Sequence, residues 1–426
     1  MHILFLTENF PPEGNAAASR VFERARYWVH WGHRVTIVTT APNFPSGKVY
    51  EGYKNRWHHV ETMDGIRVVR VKTFVTANEG FFLRTLDFLS FMIMAVCVGL
   101  FQDKPDVIVA TSPQFFTAIG GWLLGRLHRV PFVIEIADLF SASVVAVGAM
   151  KPSPLVKFIE KLELFIYRRS AAIVALTEAY RRDLVSRNID PSKISFVING
   201  VDLPRYSPRP RNVEMAEAFG LRDRFVVGYI GTLGMAHGLE TVLDAAELMR
   251  DDDSVCFVLV GDGAAKTKLI EQAEDRNLKN LVFVPIQPKT RMPEAWSLCD
   301  VALINLRGDV VFETVIPSKI FEAMAMGLPL LAAIPKGEAS QIIEWEQAGV
   351  IVRPGDPPAL VEAVRRLRDD SQARKAFSKC SLAAAPRYSR ERQAERMLNV
   401  LERVVHSKIR QYHARVSRKA GPTSNM

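Results

Sequence analysis

The sequence predicts an α/β protein with two doubly wound parallel-sheet domains, and three observations carry that prediction. Short apolar runs rich in β-branched residues recur along the 426 residues, each followed by a stretch with helical spacing; such alternation marks parallel strands buried on both faces. The chain is too long for one ordinary core. The proline- and arginine-rich stretch NGVDLPRYSPRPR, residues 199–211, interrupts the pattern, which then restarts.

In chain order, the first domain, residues 1–205, is expected to hold strands over 3–6, 35–38, 68–71, 107–110, 132–136, 172–176 and 194–198. The second, residues 206–386, is expected to hold them over 225–230, 255–260, 281–284, 301–304, 330–334 and 350–352. Residues 387–413 read as a C-terminal helix, starting near Ser389, that returns to the first domain, and 414–426 as a tail. Ligands of open parallel sheets bind at the carboxyl ends of the strands, so two facing sheets would form a cleft there.

The run FLSFMIMAVCVGLF, residues 88–101, departs from this pattern. It is shorter than the about 20 apolar residues a bilayer core requires. A buried helix and a helix partly embedded in a membrane surface both fit it.

The net charge of +9 is uneven: 24 Lys and Arg against 18 Asp and Glu over residues 1–205, 21 against 25 over 206–386, and 10 against 3 over 387–426. Basic ends suit anionic lipid head groups or pyrophosphate-bearing substrates; no recognised nucleic-acid module accompanies them, so nucleic acid is not an expected partner. The four cysteines are scattered and the histidines form no metal set. Reduced, buried thiols are expected, in a cytoplasmic protein. The N-terminus MHILFLTENF has no basic n-region and reads as a first buried strand rather than a signal peptide.

Chemistry is sought just after strands. YIGTLGMAHGLETVL, residues 229–243, places Gly231, Gly234 and Gly238 between a strand and a helix, where free amides and the helix dipole favour an anion. The loop contains no lysine or arginine. VLVGDGAAK, residues 258–266, is a second glycine turn whose Gly261 fits a structural bend and which lacks a dinucleotide fingerprint. In RGDVVFETVIPSKIFEAMAMGLP, residues 307–329, Pro317 and Ser318 read as a helix start, with Ser318 able to cap. Lys319 then falls in a first turn, where the dipole disfavours a cation; it is either solvated or placed to meet an anion. Gly14 and Asn15 in ENFPPEGNAAASR would allow a bulky ligand close approach, or form an ordinary loop. Glu135 and Asp138 end another strand, Asp138 being suited to a general base, a sugar-hydroxyl ligand or a helix cap.

In their order and spacing these motifs, together with NGVD (199–202), GEAS (337–340) and AGVIVRPGD, resemble glycosyltransferase family 4 over nearly the whole chain. The nearest branch is similar to the bacterial amino-sugar (fucosamine-type) transferases of O-antigen, capsule and exopolysaccharide assembly. The resemblance implies the GT-B fold, a retaining transfer from a nucleotide-sugar, with a UDP-sugar the expected donor, and no metal or other cofactor. It also implies a polyprenyl-diphosphate-linked or saccharide acceptor at the inner face of the cell membrane. Residue by residue, Glu322 matches the glutamate that binds the donor ribose, while its family partner falls on Thr314, beside Glu313, which is expected to orient the sugar. The family's diphosphate-binding arginine and lysine fall on Thr232 and His237, and the arginine of RDLWP falls on Ala137, with Asp138 and Leu139 kept.

A departing nucleoside diphosphate bears about two to three negative charges and a helix N-terminus supplies roughly half a positive one, so a cation is still required. Lys319 is expected to supply it, ahead of Arg307 and Lys266. The expected catalytic set is therefore Asp138, Glu313 and Lys319. Gly14, Asn15, Gly231, Thr232, Gly234, His237, Gly261, Arg307, Pro317, Ser318, Ile320 and Glu322 are expected to bind the donor with Lys319. Two rival readings are a nucleotide-sugar epimerase of the same architecture and a catalytically degenerate membrane-associated assembly factor.

Overall fold

A computed structural model describes residues 1–44, 46–76, 81–112, 115–138 and 153–419. The chain divides into two compact units, Met1–Ile198 with Gln393–Met426, and Asn199–Arg392. The first boundary thus falls ahead of residue 205, and the second falls inside the C-terminal helix rather than at 386.

The first unit contains β1 (His2–Leu6), α1 (Ala16–His30), β2 (Arg34–Thr40), β3 (His58–Met63), β4 (Ile66–Val71), α2 (Phe81–Leu100), β5 (Val107–Ser112), α3 (Phe115–His128), β6 (Phe132–Ile136), α4 (Pro154–Arg169), β7 (Ala172–Ala175), α5 (Glu178–Ser186) and β8 (Ile194–Phe196). Its sheet runs β3-β4-β2-β1-β5-β6-β7-β8. Every pairing is parallel except β3 with β4. The edge strand β3, HHVETM, has no continuous apolar run and was not expected. Asp64 and Gly65 form its turn, both at positive φ, the two-residue hairpin geometry that an Asp-Gly pair favours.

Close glycine contacts let α3 lie near its neighbours. A Cβ at Gly121 would meet the Phe132 ring at 2.6 Å, and one at Gly99 of α2 would meet Leu124 at 2.8 Å. Helix α2 is twenty residues long, longer than its apolar core suggested, and over Leu83–Leu100 it is apolar and long enough to cross a membrane. Phe91 and Ala95 point into the core, but only 17% of that window is buried, and Ile93 is 50% exposed. A fully buried helix is thereby corrected: one face packs on the sheet and the opposite face is bare.

The second unit contains α6 (Val213–Ala218), β9 (Phe225–Ile230), α7 (Glu240–Leu248), β10 (Val255–Val260), α8 (Lys266–Asp275), β11 (Leu281–Val284), α9 (Met292–Ser297), β12 (Val301–Asn305), α10 (Lys319–Ala325), β13 (Leu330–Ala333), α11 (Glu338–Trp345), β14 (Gly349–Val352), α12 (Pro357–Asp369) and α13 (Ser371–Ala384). Its sheet is wholly parallel, in the order β11-β10-β9-β12-β13-β14.

The last helix, α14 (Arg390–Lys419), extends past His413, so residues 414–419 are helical rather than tail; residues 420–426 lie outside the described residues. Its Ala394, Met397, Val400 and Leu401 share a core with Ile3, Phe5 and Trp28 of the first unit. The Trp28 indole donates to the Ala394 carbonyl at 2.9 Å.

Candidate functional site

In the second unit the loops after β9 and β10 are fitted together backbone to backbone. A Cβ at Gly261 would stand 1.9 Å from the Gly231 carbonyl oxygen, and one at Gly263 2.5 Å from that of Leu233; both glycines have φ near +150°. The Leu233 amide donates to the Asp262 carbonyl at 2.8 Å and the Ala265 amide to that of Leu233 at 2.9 Å. Gly261 therefore serves the loop packing.

The loop after β9 does not run directly into a helix at Gly234. A 3-10 turn over Met235–His237 intervenes, Gly238 takes a left-handed conformation at φ +54°, and α7 begins only at Glu240. The Gly231 amide is already bonded to the Val260 carbonyl and that of His237 to Gly234. Among the described residues, the amides of Thr232 and Gly234 have no intramolecular acceptor, and they are the ones an incoming anion could use. Asn305 at the end of β12 ties the turn down, its Nδ2 donating to the carbonyls of His237 at 2.6 Å and Gly238 at 3.0 Å.

Lys319 begins α10, a short and largely buried helix. Its side chain is 9% exposed, so it is not a solvated lysine. The ammonium stands 3.5 Å from the centroid of the Tyr229 ring, and a Cβ on Gly231 would lie 2.9 Å from it. Its Nζ has no hydrogen-bond partner. Burial pulls its pKa down to about 7, partly opposed by Glu322. His237 packs its ring 5.7 Å from that of Tyr229. Burial, and then Lys319, lower the His237 pKa to about 4, so at neutral pH the imidazole is uncharged and does not replace the family's missing cation.

Glu322, one turn on from Lys319, is half-buried and accepts from the Trp296 indole at 3.2 Å through Oε2. Ser318 makes no capping hydrogen bond, contrary to expectation, because its backbone is already helical. Ile320 is wholly buried and its amide donates to the Pro317 carbonyl at 3.1 Å; as a donor-binding residue it has neither side chain nor amide to offer. Pro317 is half-buried ahead of it.

Arg307 binds the turn through its amide, which donates to the Ala236 carbonyl at 3.0 Å. Its guanidinium is half exposed and 3.5 Å from Asp309. Lys266 faces Asp262 at 3.8 Å. Lys319 is therefore the cation held closest to the loop, with Arg307 at its rim. Glu313 is exposed on a 3-10 turn, Val310–Thr314, whose carbonyl at Glu313 leaves no room for a Cβ on Gly337. Thr314, where the family glutamate falls, is half-buried and donates to Val311.

In the first unit, Asn15 caps α1: its side chain accepts from the Ala18 amide at 2.8 Å and donates to Asn9 at 2.9 Å. Its side-chain amide is thus engaged in ordering the loop. A Cβ at Gly14 would meet nothing within 4 Å, so the chain itself does not require glycine there. Asp138 is half-buried after β6, its Oδ1 accepting from the Tyr180 hydroxyl at 3.3 Å; Leu139 lies outside the described residues. Glu135 is not at the edge at all. It is fully buried against Arg24 at 2.5 Å and Arg20 at 3.5 Å. Burial alone would raise its carboxyl, but the two guanidinium groups outweigh burial and hold it down to about 2.

Sequence reasoning missed three acids beside β1. Glu8 and Glu13 are buried, and Asp87 is the one acid on the largely apolar α2, a turn after Arg84. Burial, then Asp87, push Glu8 well above the carboxylate range, and burial pushes Asp87 up to about 7, with Arg84 opposing and Glu13 adding. An aspartate immediately ahead of the apolar run 88–101 was the signal available.

Two largely parallel-sheet α/β units, with glycine loops and a buried lysine at the carboxyl edge of the second, have the GT-B fold. Residues 15–200 match the model for the glycosyl transferase 4-like domain, and residues 214–381 that for glycosyl transferases group 1. The chain belongs to this family of group 1, family-4-like glycosyltransferases. WcaI of Escherichia coli strain K12, named for colanic acid biosynthesis, is 24% identical over 380 residues, 86% of this chain and 92% of that protein. An Escherichia coli protein named UDP-Gal:alpha-D-GlcNAc-diphosphoundecaprenol alpha-1,3-galactosyltransferase is 26% identical over 63% of this chain and 68% of its own. In fold the chain is similar to Anabaena HepE in complex with UDP, with a TM-score of 0.69 at 18% identity over 94% of this chain and 100% of that one. It is a glycosyltransferase.

Proposed function

We propose that the enzyme transfers a sugar from a UDP-sugar, with retention and without a metal, to a polyprenyl-diphosphate-linked or saccharide acceptor at the inner face of the cell membrane. The observation that carries the donor half is Lys319, a buried ammonium with no hydrogen-bond partner beside Gly231 and the open amides of Thr232 and Gly234. Preorganised positive groups where charge develops on a leaving group are the principal electrostatic lever of such transfer. A lysine depressed to about 7 gains a proton as the diphosphate arrives, and it is then fully charged when the sugar departs. Glu322, which accepts from the Trp296 indole through Oε2, meets the ribose hydroxyls. Glu313 orients the sugar and Asp138 contacts the sugar or acceptor. The UDP and lipid-linked elements draw on what the relatives above are named for.

The test supplies UDP- and GDP-sugars with and without a polyprenyl-diphosphate-linked sugar and follows nucleotide release and anomeric configuration. UDP release that requires acceptor, with an α-linked product from an α-donor, is expected. Preference for GDP-sugars overturns the donor assignment, and an inverted product overturns retention. Interconversion of the donor without acceptor favours an epimerase.

A further inference from the structure

A pocket of about 790 Å³ opens in the first unit at the amino ends of β6, β7 and β8, the end of the sheet opposite Asp138. Arg126, Arg129, Arg169, Lys193, Arg403 and Lys408 line it, with no acidic residue among the lining groups. Among the described residues none of the six is within ion-pair distance of a carboxylate. Arg169 lies over the Phe165 ring and Lys193 donates to the carbonyls of Arg168 and Ser170, so these two are held in place by neutral groups. Burial, then Lys104 and Arg126, lower the Lys408 pKa, the mark of a cation whose neighbours repel it. An anion entering the pocket relieves that repulsion.

The pocket adjoins the bare apolar face. Trp122 of α3 lines it, and the residues interleaved with its arginines, Leu123 and Leu127, are exposed. The end of α2 sits alongside: Gly99 packs on Leu124 and accepts from His128, and the following Phe101 is 89% exposed. Ile93 continues the surface along a helix that is about 30 Å long at 1.5 Å per residue. Side by side, an apolar helix face and a carboxylate-free basic pocket complement the acyl and phosphate layers of an anionic bilayer. The exposed residues are mostly aliphatic, unlike the aromatic platforms on which bases stack.

We infer that this pocket takes the phosphate head groups of anionic phospholipids and seats the first unit on the bilayer through α2 and α3. The inference deepens, and rests on, the proposed work at a membrane surface, and it assigns that surface to named residues away from the donor loops.

The experiment sediments the full chain with vesicles of phosphatidylcholine alone and of phosphatidylcholine with phosphatidylglycerol. Binding is expected only to the second and to weaken with salt. Combining Arg126→Ser, Arg129→Ser and Lys408→Ser is expected to lower partitioning roughly 100-fold, while Lys268→Ser, Arg365→Ser and Lys379→Ser on the second unit leave it unchanged. Ile93→Ser with Leu127→Ser is expected to weaken binding at high salt, where the apolar contact remains. Equal loss in both triple variants, undiminished binding by the pocket triple, or displacement of vesicles by an oligonucleotide better than by phosphatidylglycerol overturns the inference. Transfer to a detergent-dispersed acceptor by the pocket triple keeps the two readings apart: normal transfer with lost sedimentation supports docking, and a wild-type chain that transfers in detergent yet ignores anionic vesicles overturns docking while the transferase reading stands.

Discussion

The Lys319 ammonium stands 3.5 Å from the centroid of the Tyr229 ring, and Tyr229 is itself wholly buried on β9. The aromatic face offsets part of the cost of burying the cation, yet it offers no hydrogen bond. The ring therefore holds the lysine without saturating it, and all three N–H donors remain for an anion in the loop that begins at Gly231.

Replacement Lys319→Met is expected to lower kcat/KM for transfer by about 100-fold or more, the scale of a lost oxyanion-stabilising donor. Lys266→Met, beside Asp262, is expected to remain near wild type. Lys319→Arg is not expected to restore activity, because the space toward Gly231 is already filled at 2.9 Å from Nζ to where a Cβ would stand. Steady-state kinetics on the donor decide among the three.

Proton linkage gives Lys319 a second signature. Free, its pKa is about 7; a bound diphosphate raises it, so UDP affinity should weaken as pH rises above about 7, by up to tenfold per unit. Calorimetry on Lys319→Met should show no such slope. Stability carries the opposite sign: the penalty for burying the ammonium is full below pH 7 and fades toward the unfolded lysine value of 10.5. Lys319→Met should therefore raise Tm more at pH 6 than at pH 9.

Gly261→Ala places a methyl 1.9 Å from the Gly231 carbonyl oxygen and does so at φ +150°. A backbone clash cannot be relieved by rotating a side chain, so a loss of about 3 kcal/mol or more is expected. Urea unfolding measures it, and UDP binding should fall together with stability because the loop after β9 must move.

Glu135→Gln removes the charge that balances Arg24 and Arg20 in a dry interior, and a cost of about 3–5 kcal/mol is expected. In the wild type this carboxylate, held at about 2, contributes stability that is complete above the unfolded glutamate value and lost only as pH falls toward 2. The variant's deficit should therefore shrink in acid, which thermal unfolding between neutral pH and pH 3 can follow.

The parallel strands were legible because a strand buried on both faces must be apolar throughout, as VCFVLV and VALI are. The edge strand β3 was not, since none of its residues is fully buried and His58 and His59, on opposite faces, are both exposed; its Asp-Gly turn was the signal available. Lys319 was legible as an anomaly, a cation at the positive end of a helix. Its burial depends on Tyr229, ninety residues away in sequence, and no local pattern reports such a contact. The same limit hid Glu135: only the fold brings Arg24 to it, so it read as an edge acid beside Asp138. The acids at Glu8, Glu13 and Asp87 come together from the loop after β1 and from α2, and their shifted pKa values exist only after that assembly.

Because α14 supplies Ala394, Met397 and Leu401 to a core opened by Ile3 and Phe5, β1 leaves the ribosome long before the helix that completes its core. The whole of Asn199–Arg392 is synthesised while Trp28 still lacks the Ala394 carbonyl that receives its indole. Units that fold as they emerge would close in reverse order here, the second before the first. The unfinished first unit would wait through that interval with an apolar groove open along α1, a bare face on α2, and its final strut not yet made.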